Sequence, residues 1–345
     1  MAGRLRVSFL LPLLPCAVVA ATVAFLGTFE ASAQPPGLGW RNIPIAETDH
    51  IKVADSTIQV DFAEGPLDLP KSAILAHIAA AASAVATYYG RFPVASDRIL
   101  IIPVADHHGM LQGTTWGDMR GFPAFTRIRL GEHTTQAELD DDWMMTHELV
   151  HTAFPSMPDD SNGIGQHWIE EGLATYIEPI ARVMTGELTA TKIWGDMVRD
   201  MHQGEPAAGD EGLDHTHTWG RTYWGGAMFC LVADVNIRRA THNRKGLQDA
   251  LRAIVNAGGT IDHNWTLPQA LAIGDQATGT HVLSDLYNEW KDKPVTVDLP
   301  KLWNELGIRS GPDGVAFVNS APLARIREAI TKPTGKPITA TVLPQ

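Results

Sequence analysis

Two histidines four residues apart, with a glutamate beside the first, are the residues in this chain best suited to chemistry. They lie in His147-Glu148-Leu149-Val150-His151. Residues at i and i+4 share one face of a helix, so both imidazoles can reach a single metal ion. In such an HExxH pattern the ion is Zn²⁺, and the glutamate is placed to act as a base toward water. The competing reading is a surface helix with two unrelated histidines and a glutamate in an ordinary salt bridge.

A hydrolytic zinc site keeps three protein ligands and one open position. His147 and His151 supply two. The third donor falls in the next helical segment, Trp168-Ile169-Glu170-Glu171-Gly172. Helical register alone leaves Glu170 and Glu171 equivalent, with His167 and His202 as rivals. An HExxHxxGxxH pattern is absent, because Phe154 and Met157 stand where its glycine and third histidine would be. Hydrolysis also needs a donor for the developing oxyanion. Tyr223, His215 and His217 are the candidates, although the aromatic run Trp219–Trp224 also suits a plain core.

Other polar clusters read more simply. Asp140-Asp141-Asp142 is expected as the solvated first turn of the motif helix, where negative charge suits the helix dipole; the alternative is that one aspartate orients a ligand histidine. His107-His108 reads as a loop feature rather than a second metal site. Thr175 and Glu178 follow Glu171 at helical spacing and either buttress the site or face solvent.

The elements that must position these residues follow from periodicity. Leu139, Trp143, His147, Val150, His151 and Phe154 share a helical period, and Pro155 ends that helix. A polar, glycine-containing loop leads to the second helix, whose Trp168, Leu173, Ala174 and Ile177 should point inward. Upstream, Ile51, Val53, Ile58, Val60 and Phe62 alternate around Asp55-Ser56, which predicts a β-hairpin. Leu69–Tyr89 is Ala-rich with no internal Gly or Pro and predicts a buried helix. Arg98–Val104 predicts a strand, Asp106–Gly121 a glycine-rich loop, and Thr126–Leu130 a half-exposed strand suited to a sheet edge. Beyond Glu178 the chain reads as helices: Ala181–Thr185, Thr191–His202, Thr222–Arg239, Lys245–Asn256, Leu267–Ile273, His281–Lys291, Leu299–Leu306 and Leu323–Ile330. The expectation is an α+β fold in which a small sheet with the zinc site (34–185) precedes a mainly helical part (186–331) and a tail (332–345).

The N-terminus predicts export. Arg4 and Arg6 precede an apolar run from Val7 to Leu26, and Ala31-Ser32-Ala33 is a cleavage site before Gln34. Residues 1–33 are therefore expected to be a signal peptide, for the periplasm or secretion, with no stable membrane span after cleavage; an uncleaved membrane anchor is the alternative. Gln34–Thr48 reads as a loose lead-in. Only Cys16 and Cys230 occur, so signal removal leaves no internal disulfide, and Cys230 is expected to be a buried thiol. The 345 residues carry a net charge of −12, or −13 once Arg4, Arg6 and Glu30 are removed. With no basic run, nucleic acid is excluded as a partner.

Three blocks taken together, HELVH, WIEEGLATYIE and TYWGGAMFCLVADVNIRR, resemble the gluzincin metallopeptidases. They are similar to the order HExxH, W-x-x-E-G-x-A-x-Y, Y-x-x-G of aminopeptidase N-like and glycyl aminopeptidase-like enzymes. The likeness covers roughly Arg98 to Arg239. It implies a thermolysin-like catalytic domain followed by helices, one zinc, and hydrolysis of peptide bonds in a peptide or protein substrate. In the family the glutamate before the glycine binds zinc, which implies Glu171, and the tyrosine of Y-x-x-G serves the oxyanion, which implies Tyr223. The chain departs from the family in two ways. Only Gln34 to about Asp97 is available where many relatives carry a large N-terminal β-domain. The stretch Gly113-Thr114-Thr115-Trp116-Gly117 also lacks the glutamate with which aminopeptidases grip a free amine. Two other functions remain compatible with these residues: a catalytically silent binding protein on the same scaffold, and a zinc hydrolase of a non-peptide substrate.

Overall fold

The computed structural model describes residues 43–157, 166–311 and 314–344. The expected export signal, and most of the loop between the two motif helices (158–165), lie outside the described residues. The first strands, β1 (Ile45–Val53) and β2 (Ser56–Ala63), pair antiparallel as the expected hairpin, turning at Ala54 and Asp55. Their alternating Ile51, Val53, Ile58, Val60 and Phe62 are all buried. β1 begins inside the expected lead-in.

Helix α1 (Lys71–Tyr89) follows Pro70 and stops at Gly90, whose φ of 83° ends a helix without a Cβ penalty. It carries the chain across to β3 (Ser96–Val104), which lies parallel to β2. Ile74, Ile78 and Val85 of α1 join Ile51, Ile58 and Ile99 in one core.

Two sequence expectations fail at the next strands. Asp106–Gly121 is not a loop, because Met110–Met119 forms β4 and pairs antiparallel with β5 (Phe122–Gly131). β5 is not at the edge. It lies between β4 and β3, and β4 takes the edge. Close backbone packing explains the misleading glycines. A Cβ on Gly113 would lie 2.6 Å from Glu148 Cγ, and one on Gly117 would lie 2.0 Å from the Ile261 carbonyl oxygen.

The motif helix is also shorter than its period suggests. Helix α2 (Gln136–Asp140), with a Thr135–Glu138 capping box, ends before α3 (Met144–His151) begins. The break comes from Asp142, whose carboxylate oxygens accept the Met144 N–H at 3.1 Å and the Met145 N–H at 3.0 Å. Asp140 and Asp141 are exposed as expected. Asp142 is instead tied to the ring of His77 on α1 at 2.9 Å.

Helix α4 (His167–Thr185) absorbs the segment expected as a separate helix at Ala181. Its Trp168, Leu173, Ala174 and Ile177 are buried. The chain continues as α5 (Ala190–Asp200), a 3₁₀ turn at Met201–Gly204, a π-helical turn at Gly220–Gly225, α6 (Gly226–Ala240), α7 (Leu247–Asn256), α8 (Leu267–Thr278), α9 (Val282–Trp290) and α10 (Leu299–Leu306). A small hairpin, β6 (Ile308–Gly311) and β7 (Gly314–Phe317), was not foreseen; α11 (Ala324–Ile330) follows it. The expected tail is partly structured: β8 (Ala340–Val342) pairs with β1 and completes the sheet order β4-β5-β3-β2-β1-β8. Cys230 is a buried free thiol.

Helices α4 and α6 meet through glycine. A Cβ on Gly172 would sit 2.3 Å from the Gly226 backbone, and one on Gly226 would sit 2.0 Å from the Trp168 carbonyl oxygen. Gly172→Ala should force the two helices apart and lower stability by about 1–3 kcal/mol. Urea denaturation checks this: the midpoint should fall with the slope unchanged, and an unaltered midpoint would mean the contact is slack.

Candidate metal centre

Helix α3 points His147 and His151 toward α4, where Glu171 meets both. Glu171 Oε2 lies 3.0 Å from His147 Nε2 and 3.5 Å from His151 Nε2. One ligand atom from each of the three residues falls within 4.8 Å of the others. Two imidazoles and one carboxylate so arranged fit a zinc ion with a position left open. Burial opposes charge on His151, but the Glu171 carboxylate outweighs it and raises the imidazole pKa to about 9. Burial would likewise raise Glu171, yet the histidines, His151 foremost, hold its carboxyl well below the usual range.

Glu170 faces elsewhere. It accepts the Met157 N–H at 3.0 Å and contacts the His167 ring at 2.9 Å. His202 is exposed on the 3₁₀ turn and does not join the cluster. His107 bonds the Ala105 carbonyl, and His108 contacts Glu138.

Glu148 is buried beside the two histidines. Burial pushes its carboxyl above the ordinary value, with His151 and His147 opposing. Sequence reasoning missed its support. The Thr115 hydroxyl on β4 donates to Glu148 Oε2 at 2.8 Å, and Gly113 leaves room for the carboxylate. Alternation in Gly113-x-Thr115-x-Gly117 was the available signal, since these three residues share one strand face.

Tyr223 lies in the π-helical turn, its ring stacked on His147 at 6.1 Å between centroids. Burial raises its hydroxyl pKa, with Glu171 and Glu148 adding to the shift. Neighbouring Arg221 anchors this turn. It is buried, with Nε 2.7 Å from Asp210, and it donates to the Gly204 carbonyl. His215 instead pairs with Asp292 at the surface, and His217 is half-buried.

Glu178, left open as buttress or surface residue, is buried and paired with Arg182 at 2.8 Å. Arg182 also donates to the carbonyls of Asp142, at 2.7 Å, and Asp140, at 3.4 Å. Helix α4 thereby holds the turn that launches α3.

No family model and no curated protein matches the sequence. Solved structures do match its fold. An aminopeptidase N family protein from Idiomarina loihiensis aligns with 76% of this chain and 49% of its own, at TM-score 0.58 and 13% identity. An M1 zinc metallopeptidase from Deinococcus radiodurans aligns with 75% of this chain and 53% of its own, at TM-score 0.45 and 15% identity. The chain thus spans about half the length of these structures. The described residues define a mixed sheet backed by helices, with a histidine–carboxylate cluster at the junction of α3 and α4. That architecture is similar to the fold of the Idiomarina loihiensis aminopeptidase N family protein.

Two measurements follow. Metal and proton compete for the imidazole lone pair. At pH 7, below the His151 value of about 9, zinc entering the metal-free protein should release about one proton from His151. The His151 share of the release should fall away as the pH rises through about 9, leaving only what zinc-bound water would lose, as calorimetry in buffers of different ionisation heat would show. Arg182→Leu leaves Glu178 buried without its partner and should cost about 3–5 kcal/mol in chemical denaturation.

Proposed function

We propose that the protein is an exported, zinc-dependent metallopeptidase. One observation carries this reading: three ligand atoms converge within 4.8 Å, beside a buried carboxylate that is not among them. His147, His151 and Glu171 would hold one zinc. A zinc ion bound there supplies a Lewis acid that polarises a carbonyl and lowers the pKa of water to about 7.

The chain's own groups divide the remaining work. Glu148, held by Thr115, takes a proton from the water attacking a peptide carbonyl and hands it to the leaving amine. Tyr223, kept protonated by burial and by the two carboxylates, donates to the developing oxyanion. The likeness to an aminopeptidase N family protein supports peptide-bond hydrolysis over other zinc chemistry. In this reading 34–185 is a thermolysin-like catalytic part and 186–331 a helical part closing over it. Export rests on Arg4, Arg6, the apolar run after them and Ala31-Ser32-Ala33.

Glu148→Gln should keep about one zinc per chain and lose peptide cleavage by about 10²–10⁴-fold. Tyr223→Phe should lower kcat by about 10²–10³-fold with KM little changed. A peptide-library digest read by mass spectrometry, with and without chelator, tests both. Full cleavage by the zinc-stripped protein, or by Glu148→Gln, would sink the proposal.

A further inference from the structure

A buried carboxyl stands at the far end of a row of side chains that leads to Glu148. Asp97 is the first inward-facing residue of β3, followed on that face by the core residues Ile99 and Ile101. It is 0% exposed, and its Oδ2 lies 3.4 Å from the Thr126 hydroxyl of β5. Thr126 is also fully buried. Its Oγ1 lies 3.2 Å from that of Thr115, the residue opposite it on β4. Thr115 in turn reaches Glu148 Oε2 at 2.8 Å. The row crosses three neighbouring strands, β3, β5 and β4, and ends on the candidate base.

Nothing in the packing offsets the burial of Asp97. Among the described residues no ion pair reaches it, and its Oδ1 has no hydrogen-bond partner. A buried polar group left half-satisfied destabilises a fold, and an apolar side chain of similar shape would be neutral or better. Burial also pushes the carboxyl up to about 7, which favours the uncharged acid. An uncharged acid has a proton to donate. Thr115 has only one, with three acceptors in reach: Glu148 Oε2, the Glu148 carbonyl at 3.1 Å and Thr126 Oγ1. When Asp97 donates to Thr126, Thr126 donates to Thr115, and the Thr115 proton is left for Glu148. The two inner links are long and weak, so they supply direction rather than strength.

We propose that Asp97 and Thr126 are positioning residues for the hydrolytic reaction: through Thr115 they aim one hydroxyl proton at Glu148 Oε2 and so hold that carboxylate in place for water. This inference rests on the peptidase reading and extends the part given there to Glu148. No proton travels along the row during the reaction; the row orients its last member.

The test uses the zinc-loaded protein and a peptide that it cleaves. Thr115→Val should lower kcat by about 10–100-fold, and Thr126→Val and Asp97→Leu by about 3–10-fold each, with KM and zinc content little changed. Thr126→Ser keeps a hydroxyl and Asp97→Asn keeps an uncharged donor, so both should stay within about twofold of the unaltered protein. Asp97→Leu should also hold or raise the midpoint of urea denaturation while kcat falls, a pairing that a merely structural residue would not give. If Asp97→Leu fails to fold, Thr126→Val against Thr126→Ser decides. Unchanged kcat in Thr126→Val and Asp97→Leu overturns the proposal. So does a loss that Thr126→Ser does not restore, or a loss in Asp97→Asn as large as in Asp97→Leu.

Proton NMR separates this inference from the reading beneath it. The Thr115 hydroxyl resonance is the one that Thr115→Val removes, and Thr126→Val or Asp97→Leu should move it. If the unaltered protein cuts no peptide but that resonance moves, the hydroxyl row stands and the peptidase reading falls. Cleavage whose kcat ignores Thr126→Val and Asp97→Leu leaves the peptidase reading standing and removes the row.

Discussion

The centre depends on a backbone-to-backbone contact between two glycines. Packed helices normally stand about 8–10 Å apart, because side chains fill the space between them. At Gly172 and Gly226 there is no side chain to fill it, and α4 and α6 touch directly. Glu171 precedes the first of these glycines, and Tyr223 lies one helical turn before the second. The contact thus brings a carboxylate on α4 and a phenol near α6 to the histidines of α3. Other close approaches fix the π-helical turn itself: a Cβ on Gly204 would lie 2.3 Å from Trp224, and one on Gly220 would lie 2.4 Å from the Gln203 carbonyl oxygen. A π-helical turn is a costly backbone choice, found mostly at functional sites. Here it presents the Tyr223 ring to His147.

Two nearby carboxylates, Glu148 buried and Glu171 half-buried, have taken opposite characters. Glu171 touches both imidazoles, so attraction overcomes burial and its carboxyl stays ionised. Glu148 touches a neutral hydroxyl and a glycine backbone, so burial wins and its proton affinity rises. A carboxylate kept ionised by the imidazoles it touches suits a ligand. A carboxylate with raised proton affinity suits a base that must both take and return a proton. The environments separate the two roles more clearly than the residue types do, since Glu148, Glu170 and Glu171 are chemically alike.

What the sequence revealed follows from the range of each interaction. His147 and His151 were legible because i,i+4 spacing is local, and the second helix because its apolar period is local. Register could not choose between Glu170 and Glu171; likeness to a family favoured Glu171, and in the structure Glu170 turns to Met157 and His167. β4 was illegible because its glycines signal a loop unless the partner backbones are known. They are small because α3 and Ile261 press on that face. Asp142 was hidden among three consecutive aspartates, and its bonds to the Met144 and Met145 N–H groups and to His77 distinguish it. β8 was masked by flanking prolines and glycine, and its pairing with β1 spans most of the chain.

Helix α3 is itself a constraint on how the centre can be built. Eight residues make little more than two turns, too short to be stable alone in water. Its stability must therefore come from outside the motif. Asp142 satisfies its first N–H groups and is fixed in turn by His77 on α1. Arg182 on α4 grips the carbonyls of the preceding turn, while Met145 and Leu149 are buried in the core. Because Arg182 and Glu171 share α4, one rigid helix both holds the start of α3 and supplies the carboxylate that meets its histidines. The relative position of His147, His151 and Glu171 is thus determined twice, once where they converge and once at the helix origin. This is why HExxH alone is a weak signal: the five residues name two candidate ligands, and α1, α4, α6 and β4 decide whether these meet a third.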